Sequence, residues 1–180
     1  MAAPKWSAGK TYLPGAVVQP MSSTPASIAE LTNPSFESDA ADWTLTAGVS
    51  VTTGFPFSGT KRLTFAGSSG VQSATHAQIS TYPGAILTSS CYYHQGGADR
   101  GKNVGRCFIE WRNSGGTVIS RLYGNSITSS KGGYQRSTVT ATAPSQTAFV
   151  AVGVEANMTA GDGSSADYFM LSQSNAQPSL

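Results

Sequence analysis

The chain has 180 residues, only 11% of them are charged, and the formal net charge is +2. Because Lys and Arg never occur in runs longer than two, the sequence lacks the basic stripe that neutralises phosphates, and we expect no nucleic-acid partner. No apolar run approaches the roughly 20 residues of a membrane helix, and the first residues contain no apolar stretch of signal-peptide length. We therefore expect no membrane partner and no export through a signal peptide.

Residues 1–29 have the composition of an extended arm that precedes a domain. Prolines recur through this segment and disfavour both a helix and a central strand; they are Pro4, Pro14, Pro20 and Pro25. Its aromatic and apolar residues argue against a purely disordered tail. We predict an arm that docks on a partner subunit, with a flexible tail as the alternative. The expected anchors are Trp6, Tyr12, Leu13 and Val17.

From Leu31 onward the sequence indicates short β-strands. Apolar and small polar residues alternate in "DWTLTAGVSVTTG", and similar segments follow at even spacing, such as "TKRLTFAG" and "AILTSSCYYHQ". The intervening segments, among them "GFPFSG", "GGADRGKNVG" and "SKGG", have the composition of turns. We count eight or nine strands and no helix. The pattern predicts an all-β protein, an antiparallel sandwich or jelly roll over residues 30–180.

Two elements are defined most clearly by their residues. "FIEWRNSGGTVI" predicts a hairpin, with Gly115 and Gly116 supplying the positive φ that tight turns need. "TAFVAVGVEA" predicts a central strand, because apart from Glu155 both of its faces are apolar or small. Its two faces consist of Phe149, Ala151, Gly153 and Glu155 on one side, and of Ala148, Val150, Val152 and Val154 on the other.

The two cysteines, Cys91 and Cys107, both fall in strand-like segments. Without an export signal we expect reduced, buried thiols, although a disulfide between neighbouring strands remains geometrically open. A zinc site is disfavoured, because the cysteines lack CxxC spacing and the two histidines, His76 and His94, have no ligand-type spacing to them.

The order of these segments resembles a known sandwich. "LTNPSFES" is similar to an Asn-x-x-Phe-Glu opening strand, and Trp43 stands where a Gly-Trp pair is usual. "SGTKRLTFAG", "YPGAILTSSCYY" and the closing "ADYFML" follow in the same order, although Leu87 or Thr88 replaces a usual Tyr. Over residues 31–172 the chain resembles the jelly-roll carbohydrate-binding modules, the group that includes families 4, 9 and 22. Phe36 and Trp43 are expected in the core.

The resemblance implies a structural calcium ion where the first and last strands meet. The expected carboxylate ligands are Glu37 and Asp167, with Asp39 as a further candidate and backbone carbonyls near Asn33 or Ser35 completing the shell. The alternative is that these are ordinary carboxylates that cap turns or face solvent.

The resemblance also implies a glycan-binding surface built from exposed aromatic, amide and charged side chains. Because Tyr92 and Tyr93 are adjacent in one strand, one should face the core and the other solvent. For each aromatic residue, packing in the core or between subunits is the alternative. The predicted ligand-binding residues are Tyr93, Gln95, Trp111, Arg112, Asn113, Tyr123, Tyr134 and Gln135.

A catalytic site is poorly supported. Neither histidine lies in a nucleophile-elbow motif. A glycoside hydrolase needs two carboxylates across a cleft, and Glu110 with Glu155 is the pair that strands could present. We keep this as a remote alternative and predict a protein that is not an enzyme.

The composition, poor in charge and rich in Ser, Thr, Gly and Ala, resembles that of bacteriophage accessory structural proteins. "KWSAGKTYLPGAVVQP" is also similar to short segments of phage tail proteins and of chitin-binding modules. We predict a capsid decoration or head-fibre protein of the virion, assembled in the host cytoplasm. It would be a homo-oligomer, bound to capsid or tail proteins through its arm, and its sandwich would contact surface glycans. The alternatives are a tail or baseplate accessory protein and a stand-alone carbohydrate-binding module.

Overall fold

The computed structural model describes residues 30–66, 70–96, 103–128, 133–159 and 163–174. The predicted arm, with its four anchors, lies outside the described residues. In the described part every regular element is a β-strand, and no helix there is long and apolar enough to cross a bilayer. The strands are β1 (Trp43–Leu45), β2 (Val49–Thr53), β3 (Lys61–Phe65), β4 (Gly70–His76), β5 (Ile79–Ser80), β6 (Ile86–Gln95), β7 (Val104–Arg112), β8 (Val118–Tyr123), β9 (Gln135–Thr142), β10 (Phe149–Met158) and β11 (Ser164–Gln173).

The strands form two antiparallel sheets. A five-stranded sheet has the order β2-β3-β11-β6-β9, and a six-stranded sheet has the order β1-β4-β10-β7-β8, with β5 pairing to β10. The prediction of an all-β antiparallel sandwich is confirmed. The predicted central strand is β10, which lies between β4 and β7.

The opening segment differs from the prediction, because residues 31–42 form turns instead of a first strand. The Asn33 side chain organises them: its amide donates to the carbonyl oxygens of Asp39 (2.9 Å) and Ala41 (3.1 Å), and its Oδ1 accepts the N–H of Ser38. Four residues here, Asn33, Phe36, Asp39 and Asp42, adopt positive φ, which a strand excludes. The described strands are also more numerous than the eight or nine predicted, in part because Gly48 at φ +86° separates β1 from β2.

The core lies between the two sheets and follows the alternation of the strands. Phe36 and Trp43, both buried as predicted, pack with Phe169 at ring-centroid distances of 4.6 to 5.7 Å. Leu63 and Phe65 of β3 project into the same core. The residues that alternate with them in β3 therefore point outward, which places Arg62 and Thr64 on the outer face of the five-stranded sheet.

The predicted hairpin is formed by β7 and β8. Asn113 closes it, because its Oδ1 accepts the N–H groups of Gly115 and Thr117, each at 3.0 Å. Of the two glycines expected to adopt positive φ, only Gly116 does so, at +79°. The side-chain acceptor of Asn113 holds Gly115 in the turn without that conformation.

Both cysteines are free and buried. They lie in different sheets, Cys91 in β6 and Cys107 in β7. Burial raises the pKa of the Cys91 thiol well above its usual value. Burial also raises the pKa of Cys107, although a hydrogen bond with Ser137 opposes the rise. Both side chains therefore behave as core residues.

Candidate ligand-binding site

The outer face of the five-stranded sheet presents an alternating set of polar and aromatic side chains. Ser165 of β11 lies opposite Thr64 of β3 and His94 of β6. Tyr92 of β6 is in phase with His94, and therefore also projects from this face. Hydroxyl, imidazole and aromatic groups thus lie side by side across three adjacent strands.

The loop between β2 and β3, residues 54–60, is fastened to this face by one buried carboxylate. Asp167 of β11 is fully buried, and its Oδ2 accepts the backbone N–H groups of Phe57 (2.8 Å) and Ser58 (2.9 Å). Its Oδ1 accepts the N–H of Tyr168 (2.7 Å). Burial raises the pKa of Asp167 above its usual value, and these N–H groups oppose the rise. The loop therefore has a defined position over the sheet.

An aromatic cluster fills the space beneath that loop. The Phe57 ring stacks on Tyr92, with centroids 3.6 Å apart and planes 11° apart. Tyr134 and Tyr168 approach the same ring at 5.7 and 5.8 Å. Because the Phe57 ring covers the Tyr92 ring, the aromatic side chains of the cluster pack against one another. They support the loop from the side that faces the sheet.

Beside this cluster lies an open cleft of about 590 Å³. Phe55 stands at its rim with 87% of its surface exposed and φ at +49°. The Phe55 carbonyl oxygen accepts hydrogen bonds from the Tyr134 hydroxyl (3.0 Å) and from Arg62 Nη1 (3.3 Å). The cleft thus combines one exposed aromatic ring with polar groups; its lining includes Phe55, Arg62, Thr64, His94, Tyr134 and Ser165.

Two predicted ligand-binding aromatics face the core, so this part of the prediction is wrong. Tyr93 and Trp111 are both 0% exposed. Of the adjacent tyrosines it is Tyr93 that faces inward, and burial raises its pKa to about 12. Trp111 is in phase with Ile109, which is also a core residue. Neither ring can stack on a ligand from solvent.

The remaining predicted residues are divided between separate regions. Gln95 is buried and donates to the carbonyl oxygens of Asn103 and Ile127, which gives it a structural role. Arg112, Asn113 and Tyr123 belong to the β7–β8 hairpin of the other sheet. Tyr134 lines the cleft, whereas Gln135 lies half-buried at the start of β9. The structure therefore brings only Tyr134 of the predicted set to the cleft.

The alternative glycosidase pair, Glu110 and Glu155, is held in ion pairs. Arg112 and Arg121 contact the two oxygens of Glu110 at 2.6 and 2.5 Å. Burial raises the pKa of Glu110, but the hydrogen bonds from both arginines outweigh it, and the pKa lies below its usual value. Glu155 accepts from Arg106 and from the Tyr123 hydroxyl, each at 2.8 Å. A general acid requires a raised pKa, so Glu110 is unsuited to that role.

The three carboxylates predicted to bind calcium do not converge on one point. Glu37 accepts the N–H groups of Thr60 (2.8 Å) and Lys61 (3.0 Å) and the Thr60 hydroxyl. These bonds, the Thr60 hydroxyl first, lower its pKa. Asp39 pairs with Lys61 Nζ at 2.7 Å. No group of three metal-ligating side chains occurs among the described residues. Because N–H groups already occupy oxygens of Glu37 and Asp167, this arrangement does not fit the ion, and a titration with calcium tests the prediction.

The sequence analysis missed Phe55, Phe57 and Arg62. "GFPFSG" was interpreted only as a turn, although two phenylalanines in a glycine-rich loop are a signal that aromatic rings lie at the surface. The position of the loop depends on Asp167, which is 110 residues from Phe57 in the chain. No local sequence pattern reveals a contact between residues so far apart in the chain.

Comparison with solved structures places the fold among carbohydrate-binding modules. The CBM22-1 xylan-binding domain of Xyn10C from Paenibacillus barcinonensis is 14% identical, with a TM-score of 0.62 over 84% of this chain and 98% of that one. TmCBM61, solved in complex with β-1,4-galactotriose, is 16% identical, with a TM-score of 0.57 over 80% and 97%. At these identities the similarity shows the β-sandwich fold.

A bacteriophage protein shares the same fold over part of its length. The enzymatically active domain of tailspike protein 4 from bacteriophage CBA120 is 13% identical, with a TM-score of 0.60 over 80% of this chain. This chain spans only 21% of that tailspike chain. No protein-family model and no curated protein sequence matches the chain. The comparisons therefore show a β-sandwich fold that these carbohydrate-binding modules and the tailspike domain share, and they assign no family.

Proposed function

We propose that this protein is a non-enzymatic glycan-binding module whose ligand occupies the cleft on the outer face of the five-stranded sheet. The observation that carries the proposal is the Phe55 ring, 87% exposed at the rim of that cleft. A bulky residue in the left-handed region costs about 1–3 kcal/mol, and packing of this exposed ring does not offset it. Strain of this kind is characteristic of binding sites.

The cleft has the chemistry that a sugar ring requires. An aromatic face packs against the apolar C–H face of a pyranose, and hydroxyl, imidazole and guanidinium groups bond its hydroxyls. Phe55 supplies the ring, and Thr64, His94 and Ser165 supply polar groups on the adjacent strands. The hydrogen bonds from the loop to Asp167 hold the loop in position before the ligand arrives, which reduces the conformational entropy lost on binding.

We propose further that the module serves as an accessory structural protein of a virion, with residues 1–29 as the anchor. The resemblance of the N-terminal segment to phage tail proteins and the tailspike domain of the same fold support this role. Many copies on one particle would convert weak glycan contacts into avidity. A capsid decoration or head fibre is the proposed position, and a tail component and a stand-alone module are the alternatives.

A glycan array followed by titration calorimetry tests the proposed binding. The wild type, Phe55→Ala and the control Val71→Ala would be compared; Val71 is 64% exposed on β4 of the other sheet. We expect Phe55→Ala to weaken binding about tenfold, since removing a central aromatic anchor costs about 1–2 kcal/mol, and Val71→Ala to bind normally. Equal loss in both variants, or binding unaffected by Phe55→Ala, would contradict the proposal.

Co-sedimentation tests the virion role separately. The full chain and a Trp6→Ala/Tyr12→Ala variant would be mixed with particles purified from the source. We expect the wild type to pellet and the variant to remain in solution. If neither pellets while both bind glycans, the stand-alone module is the better assignment.

A further inference from the structure

We infer that the cleft selects saccharides that carry a carboxylate, and that Arg62 binds the acid group. This inference rests on the proposed glycan binding and adds the chemical class of the ligand. It derives from the distribution of charge over the two sheets and from the unfilled hydrogen-bonding capacity of one guanidinium group.

Arg62 projects from β3 into the cleft with its strong donors largely unused. Its Nη1 makes two long contacts with neutral oxygens, the Phe55 carbonyl at 3.3 Å and the Ser165 hydroxyl at 3.4 Å. Its Nε is buried and has no hydrogen-bond partner. A buried donor without a partner is unfavourable by about 1–3 kcal/mol, and because Nε is enclosed, an acceptor in the cleft would meet the Nη groups, whose hydrogen bonds within the described residues are these two long ones.

Most of the other described arginines on the outer faces of the sheets are paired with a carboxylate, unlike Arg62. On the six-stranded sheet, Arg106 pairs with Glu155, and Arg112 and Arg121 pair with Glu110. The arginines that form no ion pair within the described residues are Arg62 and Arg136, and both project from the outer face of the five-stranded sheet. Every described arginine of the six-stranded sheet therefore contacts a carboxylate, whereas the two on the five-stranded sheet contact none among the described residues.

Among the described residues, no carboxylate lines the cleft beside Arg62. Its described lining includes a guanidinium and an imidazole, from Arg62 and His94, and no Asp or Glu. Asp167 is on the same sheet, but three backbone N–H groups occupy its oxygens and it is fully buried beneath the loop. A neutral sugar would leave the Arg62 charge without a counterpart among the described residues, and a uronic acid would supply one.

The guanidinium also suits the shape of the ligand group. A planar guanidinium matches a planar carboxylate with two parallel N–H···O bonds, which a lysine ammonium cannot reproduce. Phe55 stands beside it, so that one pyranose ring could stack on the phenyl group while its carboxylate meets Arg62. The single sugar would then use both features of the cleft.

Paired saccharides test the inference. Oligosaccharides of galacturonic, glucuronic and mannuronic acid would each be titrated beside their carboxyl-reduced neutral counterparts, by calorimetry at low and at high salt. We expect at least one acid to bind about tenfold or more tightly than its reduced form, because hydrogen bonds to charged groups are the stronger ones. High salt should reduce that preference.

Three variants separate the role of Arg62 from general electrostatics. Arg62→Gln should abolish the acid preference, so that each acid binds no more tightly than its carboxyl-reduced counterpart. Arg62→Lys should keep a smaller preference, and Arg106→Gln, which removes the same charge from the opposite sheet, should keep all of it. If neutral sugars bind as well as acids, or if Arg62→Gln keeps the preference, the inference is overturned while glycan binding stands. If no saccharide binds, glycan binding itself fails.

Discussion

Replacing Asp167 with Ala tests how the ligand-binding loop is held. The substitution removes three hydrogen bonds to a carboxylate that is fully buried. Hydrogen bonds to charged groups contribute about 1.5–3 kcal/mol each, and the unfavourable burial of the carboxylate, evident in its raised pKa, offsets part of that sum. We expect a net loss of about 2–4 kcal/mol, which lowers the midpoint of a domain of this size by about 4–16 °C.

Thermal and urea unfolding, followed by circular dichroism, would measure this loss. Asp39→Ala is the matched control, because its carboxylate is 76% exposed and pairs only with Lys61; such pairs contribute about 1 kcal/mol or less. Asp167→Ala should also weaken glycan binding, since the loop that carries Phe55 is released, whereas Asp39→Ala should not. A loss of unfolding free energy below about 1 kcal/mol for Asp167→Ala would refute the claim that Asp167 holds the loop in position.

Three further predictions concern stability. Gly105→Ala places a methyl group against the buried Tyr93 ring and should cost about 1–3 kcal/mol, whereas Gly133→Ala, whose new methyl group would meet no atom of the described residues within 4 Å, should change the free energy of unfolding by less than about 0.5 kcal/mol. The lowered pKa of Glu110 means that its stabilisation is complete above its usual value of 4.5 and is lost as pH falls through the folded pKa. Glu110→Gln should therefore be less stable than wild type at neutral pH and lose less stability on acidification, and parallel acid-unfolding curves would contradict this. Calcium at about 5 mM should leave the melting temperature unchanged relative to a chelator; a rise of several degrees that Glu37→Gln abolishes would instead establish the calcium site.

The strand pattern was predictable because alternation is a local property. The β7–β8 hairpin and the central strand β10 follow from residues within one segment, and the structure confirms both. The turns of the opening segment were not predicted, because there the side chain of Asn33 forms turn hydrogen bonds in place of strand pairing. The turn-forming residues in "LTNPSFESDAAD" carried that signal, but the resemblance to an opening strand favoured the other interpretation.

The ligand-binding residues were harder to predict, because alternation gives the period of a strand and not which face is buried. Tyr92 and Tyr93 satisfy the same pattern in either orientation, and only the packing of the second sheet places Tyr93 inside. Trp111 is in phase with Cys107 and Ile109, and alternation alone therefore favours a buried ring; the resemblance to glycan-binding sandwiches favoured the opposite interpretation. Phe55 lies in a loop whose position depends on Asp167, a contact between distant parts of the chain.

Nuclear magnetic resonance titration of the full chain tests the central claim most directly, because it locates the ligand without a substitution. An isotope-labelled sample would be titrated with the saccharide that binds most tightly on the array. The account predicts that the largest amide shifts fall in residues 54–60 and in the neighbouring parts of β3, β6 and β11. Shifts concentrated in the β7–β8 hairpin or elsewhere on the six-stranded sheet would contradict it.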